Sequence, residues 1–327
     1  MIKKKVNGVQ VVGMEADDLK YTHERVDFRV TDKNKILGIA RFDSMKDYID
    51  FFDNDVTKGS KEGRCSTNPK GYCGEIDDGK DDKHTKWVFG KYEGFNSAEL
   101  VRKTALEGKC PRSVNTYVKR FRKELEAQGL YELPQEEISC KKQRVWCDDG
   151  AELDIDAVMS GDPDYWVKTL RNGKYRVVRL VVNYSASFNN NATTFAKTLA
   201  MTYVTAEIIE QLGYGVEIYA TACCRSPYSN SLEEQATLFP LKRTQEPLDI
   251  QRMGFVGVVG FFRYYTFANE NELFGNFNGS CRLASKEMQA FLGADVYITT
   301  SWSQGDQALV VRKAIEKITG KELSNGK

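Results

Sequence analysis

Between Arg176 and Ala222 the chain changes its hydrophobic rhythm twice. Val177-Val178-Arg179-Leu180-Val181-Val182 is a nearly unbroken apolar, β-branched run, which predicts a strand buried on both faces, as in parallel sheets covered by helices. Polar Asn183-Tyr184-Ser185-Ala186-Ser187 follows, and then Phe195, Leu199, Tyr203, Ala206 and Ile209 recur every three or four positions. That spacing predicts the inward stripe of an amphipathic helix ending at Gly213. Val216 to Ala222 predicts a second strand. Strand, helix and strand at this spacing make a right-handed βαβ unit. Asn183, Ser185 and Ser187 then lie at the carboxyl edge of its first strand, where ligands of such folds usually sit.

Elsewhere the pattern is more mixed. Val26 to Phe42 alternates around Asp32-Lys33-Asn34-Lys35, a hairpin signal, and Asp43-Ser44 caps a short helix through Phe52. Asn96 or Ser97 caps a helix through Leu106 that stops at Gly108, and Pro111 starts another that runs to Gln128. Gly254, Gly257 and Gly260 within the apolar segment Met253 to Phe262 predict close helix packing. Leu232 to Thr244 and Asn269 to Asn278 show no clear period and are expected to be connections. Asp306 to Ile318 predicts a last helix with Leu309, Val310, Ala314 and Ile318 inward. The expected fold class is therefore α/β: a three-layer C-terminal domain over 173–327 with a mostly parallel sheet. A mixed α+β N-terminal region over 1–172, with a flexible loop near 57–86, precedes it as an extension.

Composition narrows the function more than the fold. The chain has 327 residues, 28% of them charged, and a formal net charge of +1, so binding to nucleic acid has to come from a local patch. One such patch is the helix after Pro111, which carries Arg112, Lys119, Arg120, Arg122 and Lys123 with Tyr117 and Phe121 among them. Lys141-Lys142-Gln143-Arg144 could add to it, and a solvated basic helix face is the alternative. The chain contains no run of eighteen apolar residues, so no membrane association is expected. Its eight cysteines form no C-x-x-C pair; Cys65, Cys73 and His84 are the nearest approach to a metal set and are expected to belong to the 57–86 loop. With His23 and His84 the only histidines, both far from Ser185 in sequence, no nucleophile and base pair is apparent, and no enzymatic activity is expected.

The strand ending in Asn183-Tyr184-Ser185-Ala186-Ser187 resembles a variant of the D-x-S-x-S turn of von Willebrand factor A domains, in which an aspartate and two serines help hold a divalent cation. More broadly, the chain resembles an uncharacterised family of bacteriophage proteins carrying such a domain at the C-terminus. The resemblance rests on Phe42-Asp43-Ser44, Glu93 to Ala98, Leu153 to Trp166, Val178 to Tyr219 and Pro247 to Ile250. It implies that the Thr221 to Tyr228 region and the loop after Val296 to Thr299 are the other two edge loops. Position 183 is Asn rather than Asp, and Thr300 stands where a second acidic residue would be, so the set is neutral. Magnesium is normally held by carboxylates; no metal or other cofactor is expected, and Mg is disfavoured. The resemblance implies a protein-protein interaction module using Asn183, Ser185, Ser187, Thr221 and Thr300. Its partner would be a phage or host protein in the cytoplasm of an infected cell, with virion association open. The alternative is nucleic-acid binding through Arg112 to Lys123.

Overall fold

The computed structural model describes residues 3–6, 9–12, 23–32, 35–56, 97–131, 141–147, 152–153, 155–160, 166–172, 176–185, 192–225, 232–274, 280–281, 283–299 and 307–320. The 57–86 segment with Cys65, Cys73 and His84, as well as Ser187, Thr300 and Asp306, lies outside them.

The predicted βαβ unit forms. Strand β8 (Val177–Asn183) leads to helix α5 (Ala192–Gln211) and then to β9 (Gly215–Arg225), which pairs with β8 in parallel. Val178, Leu180 and Val182 of β8 join the main core, while Val181 faces a second cluster on the opposite side of the sheet. Helix α5 is buried nearly all round rather than along one stripe. The sheet covers its inner side, and helix α3 (Arg112–Glu126) covers the other, which is the arrangement that tolerates a helix apolar on every face. Two of its buried threonines bond back to the helix itself: Thr198 Oγ1 donates to the Thr194 carbonyl at 2.8 Å, and Thr202 Oγ1 to that of Thr198 at 2.9 Å.

The N-terminal region contributes to the same sheet. Strands β3 (Val26–Val30) and β4 (Ile36–Arg41) form the expected hairpin, followed by α1 (Met45–Phe51), whose cap Ser44 accepts from the Asp47 N–H. The remaining strands of this sheet are β10 (Leu232–Lys242) and β12 (Val296–Thr299). The order is β12-β8-β9-β10-β4-β3, with β11 (Ser280–Cys281) pairing the end of β9. The β12–β8, β8–β9 and β10–β4 pairs are parallel; β9–β10 and β4–β3 are antiparallel. The protein is thus mixed α/β with a mixed six-strand sheet, and residues on both sides of position 172 build one core. Two smaller units precede β8: the hairpin β1 (Lys3–Val6) and β2 (Val9–Val12), and a sheet ordered β5-β7-β6. In the latter, β5 is Lys141–Cys147, β6 Glu152–Leu153 and β7 Trp166–Asn172, with helix α4 (Ile155–Ser160) between β6 and β7.

Three expectations need correction. Leu232 to Thr244 is not a connection but mostly the interior strand β10, disguised because Gln235 and Thr237 are buried polar residues alternating with Ala236 and Leu238. Pro240 cannot donate to a ladder, and the register shifts between Pro240 and Lys242, the bulge at which an interior proline is tolerated. Lys242 is buried yet satisfied, its Nζ lying 2.9 Å from the Val216 carbonyl, 3.2 Å from that of Arg243 and 2.8 Å from Glu210 Oε1. Asn269 to Phe274 is likewise helical, within α7 (Phe267–Phe274), and residues 275–278 lie outside the described residues. In the last helix, α9 (Gln307–Thr319), Leu309 is exposed and the inward residues are Val311, Ala314, Ile315 and Ile318.

The remaining helices close the two faces. Helix α2 (Ala98–Glu107) begins at the Ser97 cap and ends at Gly108 in the left-handed region, φ 69°. Gly254, just after α6 (Ile250–Met253), abuts this end: a Cβ there would lie 2.2 Å from the Lys109 carbonyl oxygen, so glycine alone fits. On the opposite face α8 (Lys286–Leu292) packs Met288 and Leu292 against Leu37, Ile39, Val181 and Leu238.

Candidate functional site at the carboxyl edge of the sheet

Of the residues named by the sequence pattern, Asn183 and Thr221 lie side by side, and Thr299, the neighbour of Thr300, flanks Asn183 on its other side. Thr299 of β12, Asn183 of β8 and Thr221 of β9 share one cross-strand row. From β8 the chain crosses to β9 on one side and later returns to β12 on the other, so this row lies at the point where the sheet's winding reverses. Crevices at such points form because successive connections leave in opposite directions.

The groups on the α8 side of this edge bond mainly to one another. Asn183 Oδ1 accepts from the Ser185 backbone N–H at 2.9 Å, and the Ser185 hydroxyl lies 2.6 Å from that same oxygen and 3.2 Å from the Cys223 carbonyl. Tyr297 donates to Cys223 Sγ at 3.5 Å, Thr221 Oγ1 lies 3.6 Å from the same sulfur, and the Asn183 side chain and the Ala284 backbone also hydrogen-bond the Tyr297 hydroxyl. An amide therefore suits position 183: one end holds the turn and the other reaches the phenol, where a carboxylate could only accept. Asn183, Ser185, Thr221 and Cys223 are all buried. Burial pushes the Cys223 thiol up to about 12 and holds Tyr297 well above the ordinary phenol value. A thiol so raised is not a nucleophile at neutral pH.

The other face of β9 carries a second polar cluster that sequence reasoning missed. Cys224, next in the chain, points to the opposite side, where its Sγ lies 3.3 Å from Glu270 Oε2. Tyr184 and Thr266 share a 3.0 Å hydrogen bond, and Tyr48 sits among Thr266, Tyr184, Thr237 and Glu270. All of these side chains are buried. Burial, aided by the Glu270 charge, keeps the Tyr48 phenol protonated far into the alkaline range. The available signal was the Asn269-Glu270 pair inside an aromatic segment and the Gln235/Thr237 alternation, both read as irregularity.

The basic helix is only partly free. Val114, Val118, Phe121 and Leu125 of α3 are buried. Arg122 forks onto Glu207, with donor-acceptor distances of 2.8 and 2.5 Å, and Tyr131 donates to the same carboxylate at 2.7 Å. Arg120 pairs with Glu124 at 2.7 Å. Arg112, Lys119 and Lys123 are exposed. Strand β5 holds Lys141 to Arg144 in the separate small sheet.

Among the described residues no group of three or more His, Cys, Asp or Glu side chains could hold a metal ion, and no helix is long and apolar enough to cross a membrane. Residues 31–318 match the model of DUF7192, a domain of unknown function, and the chain belongs to that family. No curated protein and no solved structure matches the chain.

Proposed function

We propose that this DUF7192 protein is a non-catalytic interaction module whose protein partner docks at the carboxyl edge of β8, β9 and β12. The observation that carries the reading is the single row of Thr299, Asn183 and Thr221 at the winding reversal. The resemblance to von Willebrand factor A domains, which recognise partners at this edge, points the same way. The mutual bonding of Asn183, Ser185, Cys223 and Tyr297 gives those groups a supporting role: they hold the start of the turn after β8 against β9 and β12. Binding rather than turnover is favoured because these groups are an amide, hydroxyls, a phenol and a thiol held protonated.

The test is capture of partners by the tagged full chain from a bacterial lysate after nuclease treatment, followed by rebinding of each purified candidate. The doubly substituted chain Asn183→Ala, Ser185→Ala, checked for native circular dichroism, is the control. A purified protein that binds the parent chain at least tenfold tighter than the control supports edge docking. Recovery of nucleic acid alone, lost with Lys119→Ala and Lys123→Ala and falling steeply with salt, would replace this reading by binding along α3.

A further inference from the structure

Strand β3 ends the sheet among the described strands, and its pairing with β4 shows which of its backbone groups face outward. The Thr31 N–H donates to the Lys35 carbonyl at 2.8 Å, and from there Val30 lies opposite Ile36, Arg29 opposite Leu37 and Phe28 opposite Gly38. Antiparallel pairs alternate between hydrogen-bonded and non-bonded, so Thr31, Arg29 and Asp27 turn their backbone groups towards β4, while Val30 and Phe28 turn theirs away. The Val26 N–H follows the same parity, bonding the His23 carbonyl at 3.1 Å.

The side chains of β3 carry a second pattern. Val26 and Phe28 belong to the main core, and Val30, on the same face, is 39% exposed. Asp27 and Arg29 point to the face covered by α8 and are exposed. Arg41 Nε lies 3.2 Å from Asp27, whose carboxylate is still half-exposed and can receive a second guanidinium. The Arg29 guanidinium rests 5.8 Å from the centre of the Phe291 ring, and not against a carboxylate of the described residues. Charges on an edge strand ordinarily discourage other strands from pairing. Here their order does the reverse for one particular strand. Val-Asp-Phe-Arg-Val, laid antiparallel against itself about Phe28, sets each Asp27 opposite an Arg29 and each Val26 opposite a Val30. Moving the axis by one residue sets Asp27 against Asp27 or Arg29 against Arg29. Opposite charges directly across two strands attract and like charges repel, so the two charges select a single register.

We infer that a second copy of this chain docks on β3, antiparallel and about a two-fold axis at Phe28, joining two six-strand sheets into one. Each Phe28 N–H then donates to the Phe28 carbonyl of the other copy, and the exposed Val30 comes to lie beside Val26 of that copy. Such a contact is self-complementary and closes at two subunits. It goes beyond the reading of the β8–β9–β12 edge, which lies at the other end of the sheet and is left open in both copies.

The test is sedimentation velocity of the full chain without any partner, so its outcome is separate from that of the partner capture. A pair of five-residue strands is a small interface, and half-dimerisation is expected at about 10–100 µM. Arg29→Asp alone and Asp27→Arg alone, each with native circular dichroism, should weaken self-association at least about tenfold, because symmetry turns two attractive pairs into two repulsive ones. An equimolar mixture of the two variants should dimerise again as a mixed pair, and so should the chain carrying both substitutions. A parent chain that stays monomeric tenfold above that range overturns the inference. So does self-association that the single substitutions leave unchanged, or a mixture that fails to recover it. Growth beyond a dimer also overturns it, since a two-fold contact cannot propagate.

Discussion

The two faces of β9 at Cys223 and Cys224 are built from similar side chains and solve different problems. On the Cys223 face, Asn183, Ser185 and Tyr297 find each other within hydrogen-bond reach, and the turn after β8 is held by its own residues. On the Cys224 face, hydroxyls, an amide and a carboxylate are brought together by α1, β10 and α7, elements far apart in sequence, and several polar atoms, among them Gln235 Nε2, Thr237 Oγ1 and Asn269 Oδ1, make no hydrogen bond of good geometry. A local cluster can be closed by one turn's geometry, whereas a long-range cluster depends on how well separate elements meet. Buried polar networks are stabilising only when fully satisfied, so the first face should be rigid and the second less so.

The largest test of this contrast is Asn183→Leu. It strands the Ser185 N–H, leaves the Ser185 hydroxyl with the Cys223 carbonyl alone and removes a partner of Tyr297, so denaturant unfolding should show a loss of about 3 kcal/mol. A loss below about 1 kcal/mol would mean that the turn is held by something other than its own side chains.

A second test uses alkali. Cys223 is raised in the folded state to about 12 from an ordinary value near 9, so the folded chain keeps a proton that the unfolded chain has released between those limits. Stability is then unaffected below about pH 9 and falls as pH rises from about 9 towards 12. Tyr48, Tyr184 and Tyr297 are raised as well and add losses that begin nearer 10. Unfolding followed against pH should show Cys223→Ala delaying the onset of the decline by about one pH unit. An unchanged onset would show that the thiol is not enclosed.

The smallest effect is expected for Thr221→Val. The hydroxyl makes a long contact to sulfur at 3.6 Å, and the side chain keeps its shape, so the change should stay within about 0.5 kcal/mol. A larger loss, read by the same denaturant titration, would make Thr221 a full member of the Asn183 cluster.

What could be read from the chain follows the same division between local and long-range. The βαβ unit, the β3–β4 hairpin, the Ser44 and Ser97 caps and the Gly108 stop all rest on neighbours in sequence, and all are present. Asn183, Ser185 and Thr221 were placed at one edge because they lie at or near the carboxyl ends of strands whose pairing follows from that unit. Strand β10 was missed because its polar positions are accounted for only by distant elements: Lys242 by Glu210 and the Val216 carbonyl, and Thr237 by the cluster around Tyr48. Cys223 and Tyr297 were missed because nothing local connects a strand-end thiol with a phenol 74 positions later. Ser187 and Thr300 lie outside the described residues, so the outer part of the edge rests on its inner row.

The pairing of β10 with β4 joins Leu232–Leu238 to Ile36–Arg41 across nearly two hundred residues of intervening chain. Contacts of that sequence separation are entropically late in folding, so during synthesis the N-terminal hairpin must wait for a partner made much later. Until they meet, each presents a bare row of backbone donors and acceptors, the kind of edge that recruits strands from other molecules. The protein's principal hazard is therefore kinetic: aggregation during the interval before these two distant strands find one another.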